Sequence, residues 1–165
     1  MKYESGRTLV LQNAAKPKHL TASKQHWEGT IMKYALQRLA PATIKEDGKP
    51  EDLKPRTKRY ALRIIKLFCT LPKSDLARVL GRQVLRSGTS VGANYREAYR
   101  ARSRPEFVSK LGDCLKELEE TSYWLELLVE SSVIRGEKMS ALLQETDELL
   151  AIFTTISKKA KAAPE

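Results

Sequence analysis

The chain has 165 residues, of which 41% are hydrophobic, and a formal net charge of +10. That is enough for one domain with a core, plus a tail. No apolar run approaches the roughly 20 residues that span a bilayer, and the N-terminus lacks the continuous apolar stretch of a secretory signal, so the expected location is the cytoplasm.

The charge is unevenly spread. Residues 53–104 carry 14 Lys/Arg against 2 Asp/Glu, whereas residues 105–165 carry 7 against 12. Such asymmetry points to a nucleic-acid partner, to self-association between unlike faces, or to neutralisation of one half by the other within a bundle.

Residues 1–52 are polar and basic, with Pro17, Pro41 and Pro50 as punctuation. They are expected to form a flexible basic extension with a short helix near 31–39. Met32 is a candidate start, because the well-patterned chain begins soon after it.

A first helix is predicted from about Pro55 to Leu71, with Pro55 in its first turn and an apolar face of Ala61, Ile64, Ile65, Phe68 and Leu71. Pro72 ends it. A second helix is predicted from about Asp75 to Arg102, with Ser74 as N-cap. Stepped at about 100° per residue, Leu76, Leu80, Val84, Val91, Tyr95 and Ala98 share its core face. Opposite them, Arg78, Arg82, Arg86, Arg96, Arg100 and Arg104 fall in one arc of about 80°, provided the helix continues through all six. An arginine stripe without lysine suits bidentate phosphate or carboxylate contacts, although an outer charged face is also what solvation alone requires.

Gly81, Gly88 and Gly92 lie on a flank between the two faces. Glycine costs about 1 kcal/mol relative to alanine inside a helix, so close approach of another helix or an oligomer neighbour is expected there. Ser87–Ala93 reads as continuous helix, with a break as the alternative. It lacks the Gly-Lys-Ser/Thr ending and preceding strand of a phosphate loop.

A third helix begins at the capping box Ser103-Arg-Pro-Glu106. Its seam is Phe107, Leu111, Cys114, Leu118, Thr121, Leu125 and Leu128, at steps of four and three. Gly136 separates it from a fourth helix, about Glu137 to Lys158, carrying Met139, Leu142, Leu143, Thr146, Leu149, Leu150, Phe153 and Ile156. Residues 159–165 are expected to be a disordered tail. No strand pattern competes, so the predicted fold is an all-α, antiparallel, up-and-down four-helix bundle over residues 53–158.

No catalytic constellation is visible. The only histidines, His19 and His26, lie in the extension, and no Cys/His cluster has metal-ligand spacing. The serines lack an activating histidine. The glutamates of the third helix, Glu117, Glu119, Glu120, Glu126 and Glu130, read as a solvated acidic face. Cys69 and Cys114 read as reduced core residues, and no cofactor is implied. Asn94, Tyr95, Arg96 and Glu97 form the polar cluster of greatest interest, with hydrogen bonding inside the bundle as its expected role.

Three segments carry a resemblance. Leu85-Arg-Ser-Gly-Thr-Ser-Val-Gly-Ala-Asn-Tyr-Arg-Glu-Ala98, Arg102-Ser-Arg-Pro-Glu-Phe107 and Leu115-Lys-Glu-Leu-Glu-Glu-Thr-Ser-Tyr-Trp-Leu125 resemble the four-helix bundle family of large-subunit ribosomal RNA intervening-sequence proteins, over about Leu53 to Lys158. The resemblance implies ring-like homo-oligomers, often pentamers, and carries no catalytic residues. A related branch comprises the accessory variability proteins of diversity-generating retroelements, basic bundles that bind a reverse transcriptase and nucleic acid. The chain looks closer to the intervening-sequence branch. Three functional expectations follow. The first is a non-catalytic oligomeric scaffold associated with RNA or DNA through the arginine face. The second is a protein-interaction module such as a reverse-transcriptase accessory subunit. The third is an assembly with no nucleic-acid role.

Overall fold

The computed structural model describes residues 52–162. The extension expected over residues 1–51, its short helix near 31–39, Met32, and residues 163–165 lie outside the described residues. The described chain forms four α-helices and no strand. These are α1 (Leu53–Thr70), α2 (Asp75–Tyr99), α3 (Arg104–Glu130) and α4 (Ser140–Ala162), with a short 3-10 turn at Gly136–Lys138 before α4.

Consecutive helices pack side by side as an up-and-down bundle. Long side chains close the last edge. Arg56 and Arg63 of α1 pair with Glu145 and Glu148 of α4, and the Tyr60 phenol meets the Thr146 hydroxyl at 2.8 Å.

The first three helices start where a side chain satisfies one of the first N–H groups. The Asp52 carboxylate accepts from the Lys54 amide at 2.9 Å, so α1 begins two residues before Pro55. Ser74 caps α2 by accepting from the Ala77 amide. Ser103 caps α3 by accepting from the Glu106 amide. The return half of that capping box is shifted by one residue: the Glu106 carboxylate takes the Arg102 amide at 2.8 Å.

The core is a seam of steps of three and four. All seven residues expected on α3, from Phe107 to Leu128, are buried. On α1 the buried face differs from expectation. It comprises Leu53, Arg56, Thr57, Tyr60, Ile64 and Leu67, while Ile65 is 41% exposed and Ala61 and Phe68 are half-buried. The seam runs through Thr57 and Tyr60, whose hydroxyls find partners inside the protein, so polar residues hold positions that an aliphatic count assigns elsewhere. On α2 the expected Leu76 is 49% exposed, and Ala77 takes the buried position. Cys69, expected in the core, is exposed, whereas Cys114 is buried.

Two ends also differ. The α3–α4 connection turns at Ser132, which adopts a left-handed φ of 58°, before Gly136 is reached. Helix α4 continues past Lys158 to Ala162, because Ala160 is still on the buried face and only 3% exposed. Residues 159–162 therefore belong to the bundle and not to a tail.

Candidate functional site

Helix α2 is continuous through Ser87–Ala93. The glycine flank explains how it sits. A Cβ on Gly81 would meet Leu71 Cδ1 at 2.5 Å, and one on Gly88 would meet Ile64 Cγ1 at 2.7 Å. A Cβ on Gly92 would approach the Thr57 carbonyl oxygen to 3.4 Å. All three glycines are buried against α1 of the same chain, which occupies the flank that an oligomer neighbour would otherwise use.

The arginine stripe is only partly a single feature. Arg78, Arg82, Arg86 and Arg96 project from the solvent side of α2 on the arc opposite the core. Arg100 is the C-cap of α2, with φ −100° and ψ 7°. Arg104 is not on α2. It is the first residue of α3 and half-buried, because the Arg100 and Ala101 amides close the last turn of α2 onto Glu97 and Ala98.

The remaining arginines differ in what holds them. Arg78 pairs with Asp75 within its own turn. Arg86 reaches across to α3, hydrogen-bonding Glu120 and lying 3.6 Å from Glu117. Its hydrogen bond to Glu120 makes the guanidinium more basic and holds the Glu120 carboxyl below the usual range. Burial has the opposite effect on Glu117, whose pKa is raised and whose Oε2 has no hydrogen-bond partner. The Arg96 guanidinium donates to the Gly92 carbonyl at 2.7 Å. Arg82 and Arg100 are exposed and make no ion pair with any described residue.

The rest of the basic half follows the same division. Arg56 and Arg63 are spent on α4, and Lys54 lies 2.9 Å above the Tyr99 ring, joining the start of α1 to the end of α2. Lys58, Lys66 and Lys73 are exposed, without an ion pair among the described residues. The outer surface of the α1–α2 hairpin is thus a field of positive charge, while other cations of that half neutralise the acidic helices from within. The lysines of α1 were missing from the sequence-based site. Their signal was the charge surplus of residues 53–104.

Tyr95, from the polar cluster noted in the sequence, is buried with its ring 5.4 Å from that of Phe153. Burial drives its phenol well above the ordinary range. Asn94 is half-buried, and Glu97 pairs with Lys110 of α3. The cluster therefore divides between core packing and helix pairing. Among the described residues no three His, Cys, Asp or Glu side chains gather as a metal would require, and no helix is long and apolar enough to cross a membrane.

Comparison with known proteins matches residues 52–155 to the family model described as 23S rRNA-intervening sequence protein. Among solved structures, the chain is similar to a Bacteroides thetaiotaomicron protein described as of unknown function and from the S23 ribosomal protein family. That similarity has a TM-score of 0.61 and 40% identity, covering 64% of this chain and 95% of the other. No curated protein matches the chain.

Proposed function

The chain belongs to the 23S rRNA-intervening sequence protein family, and from that premise we propose that it is a non-catalytic, homo-oligomeric cytoplasmic scaffold that associates with RNA or DNA through the arginine-rich outer face of α2. The observation that carries this reading is the set of exposed cations without an ion-pair partner among the described residues. Arg82 is at its centre, with Arg100 at the end of α2 and Lys73 in the turn before it. A solvated face needs no such surplus of one sign. A polyanion does, because each phosphate neutralised releases condensed counterions.

The contacts are to the backbone and independent of base sequence, since Arg82, Arg100 and Lys73 have no ion-pair partner among the described residues that would aim them at a base edge. The test is fluorescence anisotropy with a labelled 20-nucleotide RNA and a 20-base-pair DNA duplex. Arg82→Gln combined with Arg100→Gln weakens binding of both probes alike. Unchanged affinity would contradict the assignment of this face.

The exposed apolar residues Leu62, Ile65, Leu76 and Val79 on the same hairpin favour a second reading, a protein-interaction module such as a reverse-transcriptase accessory subunit. Co-purification of the full chain with such an enzyme would support it.

A further inference from the structure

Two outer faces of the bundle match each other in spacing and oppose each other in charge. On the back of α1, Lys58, Leu62, Ile65 and Cys69 form one exposed stripe at steps of four, three and four, with Lys66 beside it. On the back of α3, Glu119, Tyr123, Glu126 and Glu130 form another at the same steps. Residues so spaced lie on one side of a helix, so each stripe is a straight ridge of about three turns. The ridges are not plain solvated faces. Leu62 is 54% exposed, Ile65 41% and Tyr123 54%.

The charges on the two ridges are also unspent. Lys58 and Lys66 have no ion-pair partner among the described residues, and neither have Glu119, Glu126 and Glu130. Glu126 accepts only the Ser122 hydroxyl of its own helix, at 3.2 Å. Elsewhere the protein does pair its basic and acidic helices, at Arg56–Glu148 and Arg86–Glu120. Helices α1 and α3 stand diagonally across the bundle with their backs turned apart, so one copy cannot bring these ridges together.

We propose that the α1 ridge of one copy docks against the α3 ridge of a second copy, with Tyr123 packed on Leu62 and Ile65 and the glutamates set against Lys58 and Lys66. This deepens the functional reading above and rests on its oligomer, not on its nucleic acid. Because the two patches differ, the contact is head-to-tail, and the copy at each end retains one open ridge until the series closes into a ring. The apolar centre supplies the attraction and the flanking charges fix the pairing.

The test uses the full chain, with mass measured by size-exclusion chromatography and light scattering at micromolar concentration. The wild type runs as a multimer. Leu62→Lys with Ile65→Lys runs at the protomer mass with unchanged helical circular dichroism, both sites being exposed. The charge reversals Lys58→Glu with Lys66→Glu and Glu119→Lys with Glu126→Lys each lower the mass, and mixing the two reversed chains gives a species of greater mass than either alone. A multimer unaltered by Leu62→Lys with Ile65→Lys would overturn this interface while leaving the oligomer intact. So would a mixture of the reversed chains with no mass above that of each alone. A wild-type monomer would overturn both the interface and the oligomer. Nucleic-acid binding by the Arg82 variant is read separately and bears on neither result.

Discussion

The phenolic oxygen of Tyr60 on α1 lies 2.8 Å from the hydroxyl of Thr146 on α4. Both residues are fully buried. The Thr146 hydroxyl lies 2.9 Å from the Leu142 carbonyl. If it donates there, Tyr60 donates to Thr146. The Thr121 hydroxyl of α3 likewise meets the Ser87 hydroxyl of α2 at 2.8 Å. Each helix thus contributes one polar side chain to two hydrogen-bonded pairs buried in the core. Burial pushes the Tyr60 phenol up to about 12, so it remains a neutral donor throughout the physiological range.

An asymmetry in stability follows. Thr146→Val strands the Tyr60 hydroxyl in the core and is expected to cost about 1–3 kcal/mol, whereas Tyr60→Phe removes the donor and costs about 1 kcal/mol. The double variant should be more stable than the sum of the two losses predicts, because it leaves no orphaned phenol. Urea denaturation of the four proteins measures the coupling.

The glycines of α2 and α3 should respond oppositely to alanine. At Gly88 the added Cβ would meet Ile64 Cγ1 at 2.7 Å, so Gly88→Ala should lose about 1–3 kcal/mol through overpacking despite its better helix propensity. At Gly112 nothing lies within 4 Å. Gly112→Ala should therefore gain up to about 1 kcal/mol from propensity alone. Thermal melts of the two variants should move in opposite directions.

The two cysteines should differ in reactivity. Burial pushes the Cys114 thiol up to about 12, and its Sγ lies 3.7 Å from the Val91 carbonyl. Because the thiolate is the reactive form, Cys114 should resist a disulfide reagent until the protein is unfolded. Cys69 is exposed on the α1 ridge. It should react in the native state, and faster in the Leu62→Lys, Ile65→Lys variant than in the assembled wild type. Mass spectrometry after timed labelling separates the two sites.

Arg86 should show a pH-dependent contribution. It holds the Glu120 carboxyl low, and this depressed group contributes stability that is present above its unfolded pKa and lost as pH falls through the folded value. Glu117 has the opposite shift, raised by burial, so its ionised form depends on Arg86 for a counter-charge. Arg86→Gln should therefore lose about 1 kcal/mol at neutral pH. The loss should shrink as pH falls through the carboxylate range and both glutamates become neutral. Urea midpoints at neutral and acidic pH test the trend.

The sequence revealed helices more readily than faces. Helix α3 was legible residue by residue because four leucines and Phe107 anchor its seam, which keeps a strict heptad. Helix α1 was not, since Thr57 and Tyr60 occupy seam positions and their partners, Leu53 and Thr146, become evident only when the backbone and the fourth helix are in place. Similarly, the periodicity that placed Arg104 with Arg96 and Arg100 assumed one helix, while hydrogen bonds by the Arg100 and Ala101 amides end α2 at Tyr99. The division of the arginines into those spent on Glu117 and Glu120 and those left exposed depends on the neighbouring helix, which periodicity does not specify.

The most direct measurement of nucleic-acid association is the salt dependence of RNA binding by the wild type and by Arg82→Gln with Arg100→Gln. A steep linear fall of log K with log salt is expected for the wild type. The variant's slope should be shallower by about 0.7 for each lost contact on a single strand. Parallel slopes for the two proteins, or wild-type binding indifferent to salt, would contradict the proposed association.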